Sequence, residues 1–236
     1  MSSLLTRRCF LALTSALMTS PSLRAAPDVP LMLDHILLGA NDLDAGVLEV
    51  EGKAGVRPAG GGSHPGVGTR NALLSLGPER YLEVIAPDPK QKIAASKRYG
   101  DLGGLKQPRL LTWAAHTRDI DGLAERLRKE GIAAEGPTDG SRVRPDGKVL
   151  RWRTLRLEDN RGGLIPFFIQ WGTDTVHPSV DAPGGCKLVS FDLRTPHWQM
   201  DDLFRKLGLE VEVRNGPAAL LRARIAGLHG EFELTS

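Results

Sequence analysis

Cysteine is scarce and long apolar runs are missing from this 236-residue sequence. Its two cysteines are Cys9, in an N-terminal segment that we interpret below as removable, and Cys186. Cys186 would then lack a partner for an internal disulfide, and its turn-like context, PGGCK, favours a small structural residue over a catalytic thiol. Because no apolar run reaches the roughly 18 residues that a bilayer requires, no membrane-spanning helix is predicted.

An excess of charge of one sign is also missing. The chain has 31 lysines and arginines against 28 aspartates and glutamates, and three of the arginines but none of the acids lie within residues 1–26. The remainder of the chain is therefore balanced. The sequence does not predict a nucleic-acid partner, because binding to phosphates would need a basic surface.

Residues 1–26 have the layout of an export signal. Arg7 and Arg8 precede a short apolar run over 10–18, and small residues follow near the end of the segment. A Phe and a Leu shortly after the Arg pair are typical of a twin-arginine signal. We therefore predict an exported, periplasmic protein, with an organelle-targeting peptide or a basic tail as the alternatives.

One pattern occurs three times along the chain: a strand, then a helix that ends in glycine, then further strands. The copies begin with residues 33–56, 111–132 and 188–209. In the first two copies, Asp42 or Asn41 and then Asp119 stand where a helix needs a side chain that accepts bonds from its free backbone N–H groups. Repeated strand–helix–strand units predict an α+β fold in which helices pack on one side of a mixed sheet.

The strands of the first unit alternate in a way that separates two faces. Ile36 and Leu38, with the residues in phase with them in the next strands, make a wholly apolar face that should pack against the helices. The opposite face mixes polar and apolar side chains, which is typical of a pocket wall. The larger polar members of this mixed face are His35, Asn71, Ser75, Tyr81 and Glu83.

Three further features are a His on the first strand, a Glu on the last strand of the first unit, and a set of distinctive stretches. The stretches read GGGSHPGVGTRNALLSLG, YLEVIAPDP and LIPFFIQWG. Together they resemble the vicinal oxygen chelate superfamily, which includes glyoxalase I, extradiol dioxygenases and bleomycin-resistance proteins, and in particular its glyoxalase-like-domain branch. The resemblance implies repeated βαβββ units that form a cupped mixed sheet with helices on the outer face. It covers 31–172 as a paired domain and, more loosely, a third unit over 187–236.

Metal-using members of that superfamily take one ligand from the first strand and one from the last strand of each paired unit. The resemblance therefore implies His35 and Glu83 as ligands of a divalent metal. The matching positions of the second unit are Thr112 and Phe168, neither of which ligates a metal. The implied metal site is thus incomplete.

Two other residues are alternative donors for that site. His116 lies on the same face of its strand as Thr112, and Glu233 would take part if the first and third units paired. The remaining histidines lie in turns and are predicted to be exposed; they are His177, His197 and His229.

The last strand of the second unit is assigned by the same two-residue period. We predict that Phe168 and Gln170 line the pocket together with Pro166, because the residues in the other phase are large and apolar. The residues predicted to face the core instead are Ile165, Phe167, Ile169 and Trp171, and Trp113 on the first strand of that unit is predicted to do the same.

Several charged residues are candidates for the pocket mouth. His64, in the glycine-rich stretch AGGGSHPGVGTRN, is either an acid or base at the mouth or part of a mobile loop. Arg70 either binds an anionic group or is solvated. The basic segment 87–109 is either a lid that favours an acidic ligand or a solvated linker. One of Arg151 and Arg153 is a further candidate.

Two functions remain in competition. In the first, an isomerase, lyase or dioxygenase acts on a small carbonyl or enediolate compound, with Glu83, His35 and His64 as catalytic residues. In the second, the same pocket binds or sequesters a ligand without chemistry. A structural alternative is a buried His35–Glu83 pair whose members only satisfy each other. The predicted substrate-binding residues are Asn71, Ser75, Tyr81, Arg70, Phe168 and Gln170. The third unit either completes the sheet or joins two chains into a homodimer.

Overall fold

The computed structural model describes residues 29–92, 99–144, 146–197 and 200–236. The predicted export signal lies outside these ranges and stays a prediction. Within the described residues, no helix is long and apolar enough to cross a membrane.

Two sheets and their helices account for the regular structure of these ranges. The strands of the larger sheet are β1 (Leu33–Gly39), β2 (Ala59–His64), β3 (Thr69–Ser75), β4 (Tyr81–Pro87), β5 (Arg109–His116), β6 (Ala134–Val143), β7 (Val149–Leu157) and β8 (Phe167–Trp171). Those of the smaller sheet are β9 (Lys187–Thr195), β10 (Val213–Asn215), β11 (Leu220–Gly227) and β12 (Gly230–Thr235). The helices are α1 (Leu43–Ala54), α2 (Ile120–Lys129), α3 (Pro178–Asp181) and α4 (Met200–Leu207).

The larger sheet is made from two consecutive βαβββ units. Its strand order is β2-β3-β4-β1-β5-β8-β7-β6, so that β1 and β5 meet in the centre as an antiparallel pair. In each unit the first and last strands are parallel neighbours. The sheet curls so far that its two edge strands, β2 and β6, approach each other. A Cβ atom built at Gly62 of β2 would lie only 3.2 Å from the Val143 carbonyl oxygen of β6. The predicted α+β fold with a cupped mixed sheet is confirmed.

The predicted helix signals take the roles expected of them. Asp42 caps α1 by accepting a bond from Ala45 N, and Asp119 caps α2 by accepting one from Gly122 N. Gly55 ends α1 in the left-handed region, with φ of 72°. Glycine reaches this conformation without the steric cost that a Cβ atom would add.

Removing the cap of α2 should have a measurable effect. We expect Asp119→Ala to lower the free energy of unfolding by about 1 kcal/mol, because one backbone donor in the first turn loses its acceptor. Urea unfolding followed by circular dichroism measures the change. Asp174→Ala, at an exposed carboxylate 3.8 Å from Arg151, is the control and should leave the midpoint unchanged. An equal loss in both variants would contradict the capping role.

The apolar strand faces pack as their alternation predicts. Ile36, Leu38 and Trp113 are fully buried in one core between the sheet and the helices. The Trp113 indole N–H donates to the Leu164 carbonyl at 2.9 Å. Burying such a polar group is tolerated because it keeps a hydrogen-bond partner.

The third unit covers the helical side of the cup instead of joining its sheet. Its strand order is β10-β9-β11-β12. The first strand of this unit along the chain, β9, therefore lies between β10 and β11, whereas β1 and β5 lie at one side of their own units. Phe191 of β9 meets Trp113 edge to face at 5.5 Å. The backbone N–H groups of Leu228 and His229 donate to the Ala54 carbonyl at the end of α1. The third unit therefore packs on its own chain, and the homodimer stays a prediction.

Candidate functional site

A cavity of about 410 Å³ occupies the inside of the cup. One wall comes from β1, β3 and β4 and the other from β6, β7 and β8. Its charged and polar lining includes His35, His64, Asn71, Tyr81, Glu83, Arg142 and Arg156. Its apolar lining includes Trp152, Phe167, Ile169 and Trp171. Of the mixed face predicted to be a pocket wall, His35, Asn71, Tyr81 and Glu83 line this cavity.

A β-bulge brings two consecutive residues to the same place. Asp34 and His35 should point to opposite faces of β1, because strand side chains alternate. The pairing of β1 with β5 shifts register between Leu33 and His35. Such a bulge re-aims a side chain. The Asp34 Oδ1 atom consequently lies 2.7 Å from His35 Nδ1.

Asp34 is a buried anion with several donors around it. Its Oδ2 atom accepts a bond from the Trp171 indole at 2.9 Å and lies 3.3 Å from His177 Nε2. Burial alone would raise the pKa of Asp34, but hydrogen bonds with His177 and His35 outweigh it and hold the pKa well below its usual value. An ionised Asp34 requires a proton on His35 Nδ1, which leaves Nε2 facing the cavity.

Glu83 lies against that cavity-facing nitrogen. Its Oε2 atom is 3.5 Å from His35 Nε2, and its Oε1 atom accepts a bond from Asn71 Nδ2 at 2.8 Å. The carboxylate is only 7% exposed. Tyr81 stacks on the His35 ring with centroids 4.4 Å apart, and Phe167 meets it edge-on at 5.4 Å. Both members of the pair are thus held in fixed orientations.

His64 has partners on both ring nitrogens. Nδ1 lies 2.9 Å from Thr69 Oγ1, and Nε2 lies 3.2 Å from Asn71 Nδ2. Burial lowers the pKa of His64 by more than the nearby Glu83 charge raises it, so the neutral ring is favoured. A neutral His64 that donates to Thr69 accepts from Asn71. This arrangement orients the amide that holds Glu83.

Arg142 was not among the residues singled out from the sequence. It comes from β6, is only 5% exposed, and passes over the glycines of β2. A Cβ atom at Gly61 would lie 3.1 Å from Arg142 Nη1 and 2.3 Å from Asn71 Oδ1. A side chain there would displace the Asn71 amide and crowd the guanidinium, so glycine suits this position. Burial lowers the pKa of Arg142 while the Glu83 charge raises it, and a guanidinium stays protonated in proteins.

The prediction of which β8 side chains line the pocket is wrong. Phe168 packs in the main core, and Gln170 Oε1 accepts a bond from Ile120 N at the start of α2. Phe167, Ile169 and Trp171 line the cavity instead. Both phases of LIPFFIQWG are apolar, and the strand begins only at Phe167, so the buried Ile165 before it did not indicate the phase of the strand.

Two other predicted binding residues lie outside the cavity lining. Arg70 Nη2 is 3.6 Å from Asp42 Oδ2 at the start of α1, because it precedes the cavity-facing Asn71 and points to the other side of β3. Ser75 is buried at the far end of β3, where its N–H donates to the Pro183 carbonyl. Their predicted contact with a ligand in this cavity is not supported by these positions.

The arginines of β7 divide between the two faces. Arg153 forms a two-pronged pair with Asp121 on the helical side, at 2.6 and 2.9 Å. Arg151 is exposed near Asp174. The arginine of this strand that lines the cavity is Arg156, whose guanidinium lies 3.9 Å from the centre of the Phe167 ring.

The prediction that His177 is exposed is wrong. This residue is partly buried beneath the cavity, with its ring edge-on to Tyr81 and Trp171. His197 and His229 are exposed as predicted. The predicted lid covers residues 87–109, of which 93–98 lie outside the described ranges. Tyr99, the first described residue after that gap, lines the cavity.

The donor set does not fit the four-ligand metal site of the superfamily. Within the described ranges, no group of three or more His, Cys, Asp or Glu side chains is arranged to hold an ion. Thr112 donates to the Gly163 carbonyl, and His116 does not line the cavity. Glu233 lies in the smaller sheet beside Arg222, so the alternative pairing of the first and third units is wrong.

Comparison with known proteins agrees with this fold. A family model described as a glyoxalase-like domain matches residues 33–207. The protein is therefore a member of the vicinal oxygen chelate superfamily. Within it, the chain belongs to the glyoxalase-like domain family. None of the functionally curated proteins gives a significant match.

The solved structures that this chain resembles are distant in sequence. A hypothetical protein from Staphylococcus aureus is 18% identical, with a TM-score of 0.61 over 79% of this chain and 87% of that chain. Methylmalonyl-CoA epimerase from Mycobacterium tuberculosis is 18% identical, with a TM-score of 0.41 over 61% and 88%. A Streptomyces coelicolor methylmalonyl-CoA epimerase variant in complex with 2-nitronate-propionyl-CoA is 22% identical, with a TM-score of 0.44 over 61% and 97%. The first of these supports the fold alone.

Proposed function

We propose that the cavity binds a small carbonyl compound and that Glu83 transfers a proton at the carbon beside the carbonyl group. This is the chemistry of an isomerase or a lyase. The observation that supports it is the position of Glu83: a buried carboxylate in the cavity wall, with Oε1 held by Asn71 and Oε2 beside the His35 ring. A carboxylate so placed is within reach of a bound ligand and shielded from bulk water.

The proton transfer proceeds in two balanced steps. Glu83 Oε2 takes the proton from the carbon, and the electron pair of the broken C–H bond moves to the carbonyl oxygen, which becomes an enolate. Where that carbon bears a hydroxyl group, the intermediate is an enediolate. The Glu83 carboxylic acid then returns the proton to the former carbonyl carbon while the hydroxyl proton moves to the other oxygen, which gives the isomer. If the enolate instead expels a leaving group, the product is that of a lyase. Positive charge in the cavity stabilises the enolate.

His35 serves this step through its orientation. Its Nδ1 proton is held by Asp34, so Nε2 can accept a proton from Glu83 or return one over 3.5 Å. The stacked Tyr81 ring keeps the imidazole from rotating. His64 acts one step further away by orienting the Asn71 amide. In this proposal both histidines support the carboxylate, which does the proton transfer.

Hydrogen–deuterium exchange tests this function. The protein is incubated in deuterium oxide with methylglyoxal, dihydroxyacetone, pyruvate or acetoacetate, and proton NMR follows the C–H signals beside each carbonyl. Protein-accelerated exchange of at least one compound is the expected result. Binding of a compound without accelerated exchange would instead identify the non-catalytic alternative, sequestration. That alternative is favoured by the apolar wall of Trp152, Trp171 and Phe167.

We also propose that the protein is exported through the twin-arginine route. Support comes from the Arg7–Arg8 pair and the short apolar run after it. Replacing both arginines by lysine is expected to retain the full-length protein in the cytoplasm, because that route recognises the Arg pair. Cell fractionation and immunoblotting measure the distribution. Arg24→Lys is the matched control and should be exported as before; export of the double variant would contradict the proposal.

A further inference from the structure

We propose that Arg142 anchors a carboxylate group of the substrate, so that the compound processed here is a small carboxylic acid with a second carbonyl. The proposal rests on the proposed function, because it uses the same cavity, and it names the substrate class. The site on Arg142 is the space between its guanidinium and the Glu83 carboxylate.

The first argument is that Arg142 is a buried cation to which the described residues supply no partner. It is 95% removed from solvent, since only 5% of its surface is exposed. Among the described residues, no hydrogen bond or ion pair to its guanidinium is present. Burying an unpaired charge is costly, so proteins usually pair it or complete it with a ligand. An anion bound from the cavity would supply the missing acceptor.

The second argument is the local structure that makes room for the side chain. Two consecutive glycines of β2, Gly61 and Gly62, lie against Arg142, and Cβ atoms there would come within 3.1 Å of its Nη1 atom and 3.3 Å of its Cδ atom. Gly62 also has φ of 130°, which side chains rarely adopt. The glycines of this stretch therefore leave the space that the buried Arg142 side chain occupies.

The third argument is the geometry between the two opposite charges. Arg142 and Glu83 line one cavity, and Glu83 is the largest charge effect on Arg142, yet the two do not form an ion pair. A gap of this kind accepts a molecule that has its anionic end at the guanidinium and its acidic C–H at the carboxylate. A 2-oxo or 3-oxo carboxylic acid has this layout.

A carboxylate fits the gap better than a phosphate group does. The guanidinium fork binds the two oxygens of a carboxylate side by side. The single negative charge of that group matches a single guanidinium. A phosphate dianion would feel the additional repulsion of Glu83 in a confined space of low dielectric.

Binding measurements with defined probes test the assignment. Isothermal titration calorimetry compares pyruvate, 2-oxobutyrate and acetoacetate with the uncharged pyruvamide and acetoacetamide and with inorganic phosphate. The wild-type protein is expected to bind at least one of the acids and to bind its amide more weakly. Arg142→Met keeps the aliphatic stem but loses the charge, and we expect it to weaken binding of that acid about tenfold to a hundredfold.

The control variant is Arg151→Met, an exposed arginine outside this cavity. Its affinity for the acid should stay within about twofold, because exposed charges are screened by salt. A melting curve excludes misfolding as the cause. Since Arg142→Met removes an unpaired buried charge, its melting temperature should be unchanged or higher, whereas loss of a structural ion pair would lower it by more than about 4 °C.

Glu83→Gln separates this proposal from the proposed function. It should bind the acid as tightly as the wild-type protein or more tightly, because a repelling charge is removed, while proton exchange is lost. Three results would overturn the carboxylate anchor: equal affinity of Arg142→Met and wild type, preference for phosphate or for the amide, or no binding of any acid to the wild-type protein. If carboxylate binding depends on Arg142 but no proton exchange occurs, the role of Arg142 as carboxylate anchor is supported and the proposed enzymatic function is contradicted.

Discussion

Glu83→Gln is expected to lower the protein-accelerated exchange rate by a factor of about 10² to 10⁴, the usual contribution of a general base. The amide has nearly the same shape, and its oxygen can still accept the bond that Asn71 donates to Oε1 at 2.8 Å. What is lost is the basic oxygen beside His35 Nε2. The loss should therefore appear in the rate and not in the fold, and the NMR exchange assay with unfolding curves measures both.

A matched control uses a glutamate that is far from the cavity. Glu49 lies on α1 with its carboxylate 3.0 Å from Lys53 Nζ, so Glu49→Gln should exchange at the wild-type rate. Exchange at the wild-type rate by Glu83→Gln as well would show that another group moves the proton. The proposed role of Glu83 would then be wrong.

Asp34→Asn is expected to give the largest loss of stability among these variants, about 3 kcal/mol at neutral pH, the range for breaking a buried charged network. The carboxylate is 1% exposed and has three partners: the rings of His35 and His177 and the indole of Trp171. An asparagine offers one acceptor oxygen, and its NH₂ group would face groups that are donors themselves. Urea unfolding measures the change.

The pH dependence of this loss follows from the direction of the Asp34 shift. The pKa of Asp34 is lower in the folded than in the unfolded protein, so its contribution to stability is present above the unfolded value and is lost as pH falls toward the folded one. The difference in the free energy of unfolding between wild type and Asp34→Asn should be largest above about pH 5 and should decrease as the pH falls below about 4. Asp174→Asn, at an exposed site, should show no such difference. A difference that is constant down to pH 3 would contradict an ionised Asp34.

Two-residue alternation found half of the site from the sequence. It placed His35, Asn71, Tyr81 and Glu83 on one face because the opposite face of β1, β3 and β4 is wholly apolar, and burial then decides the orientation. The same reasoning failed for β8, where both faces are apolar. There the partner strand fixes the phase: Phe167 pairs with Ala114 at the cavity and Phe168 with Ala115 in the core.

The other half of the site depends on features that have no periodic signal. Asp34 enters the site through a bulge, which is a property of the pairing between β1 and β5 and not of either strand alone. Arg142 lies in AEGPTDGSRV, an edge strand with few apolar residues to set its phase. The one sequence signal for Arg142 was indirect: the Gly61–Gly62 pair, whose missing side chains leave room for it.

The bonds from Leu228 and His229 to the Ala54 carbonyl have a consequence for synthesis of the protein. During translation the N-terminal part of a chain can fold first. Here, however, the end of α1 acquires those two donors only after about 170 more residues have left the ribosome. Until then Trp113, on the helical side of the larger sheet, also lacks its contact with the Phe191 ring. A ribosome that stalled before Lys187 would thus hold a curled sheet whose helical side exposes apolar surface, and chaperones and proteases recognise such surface.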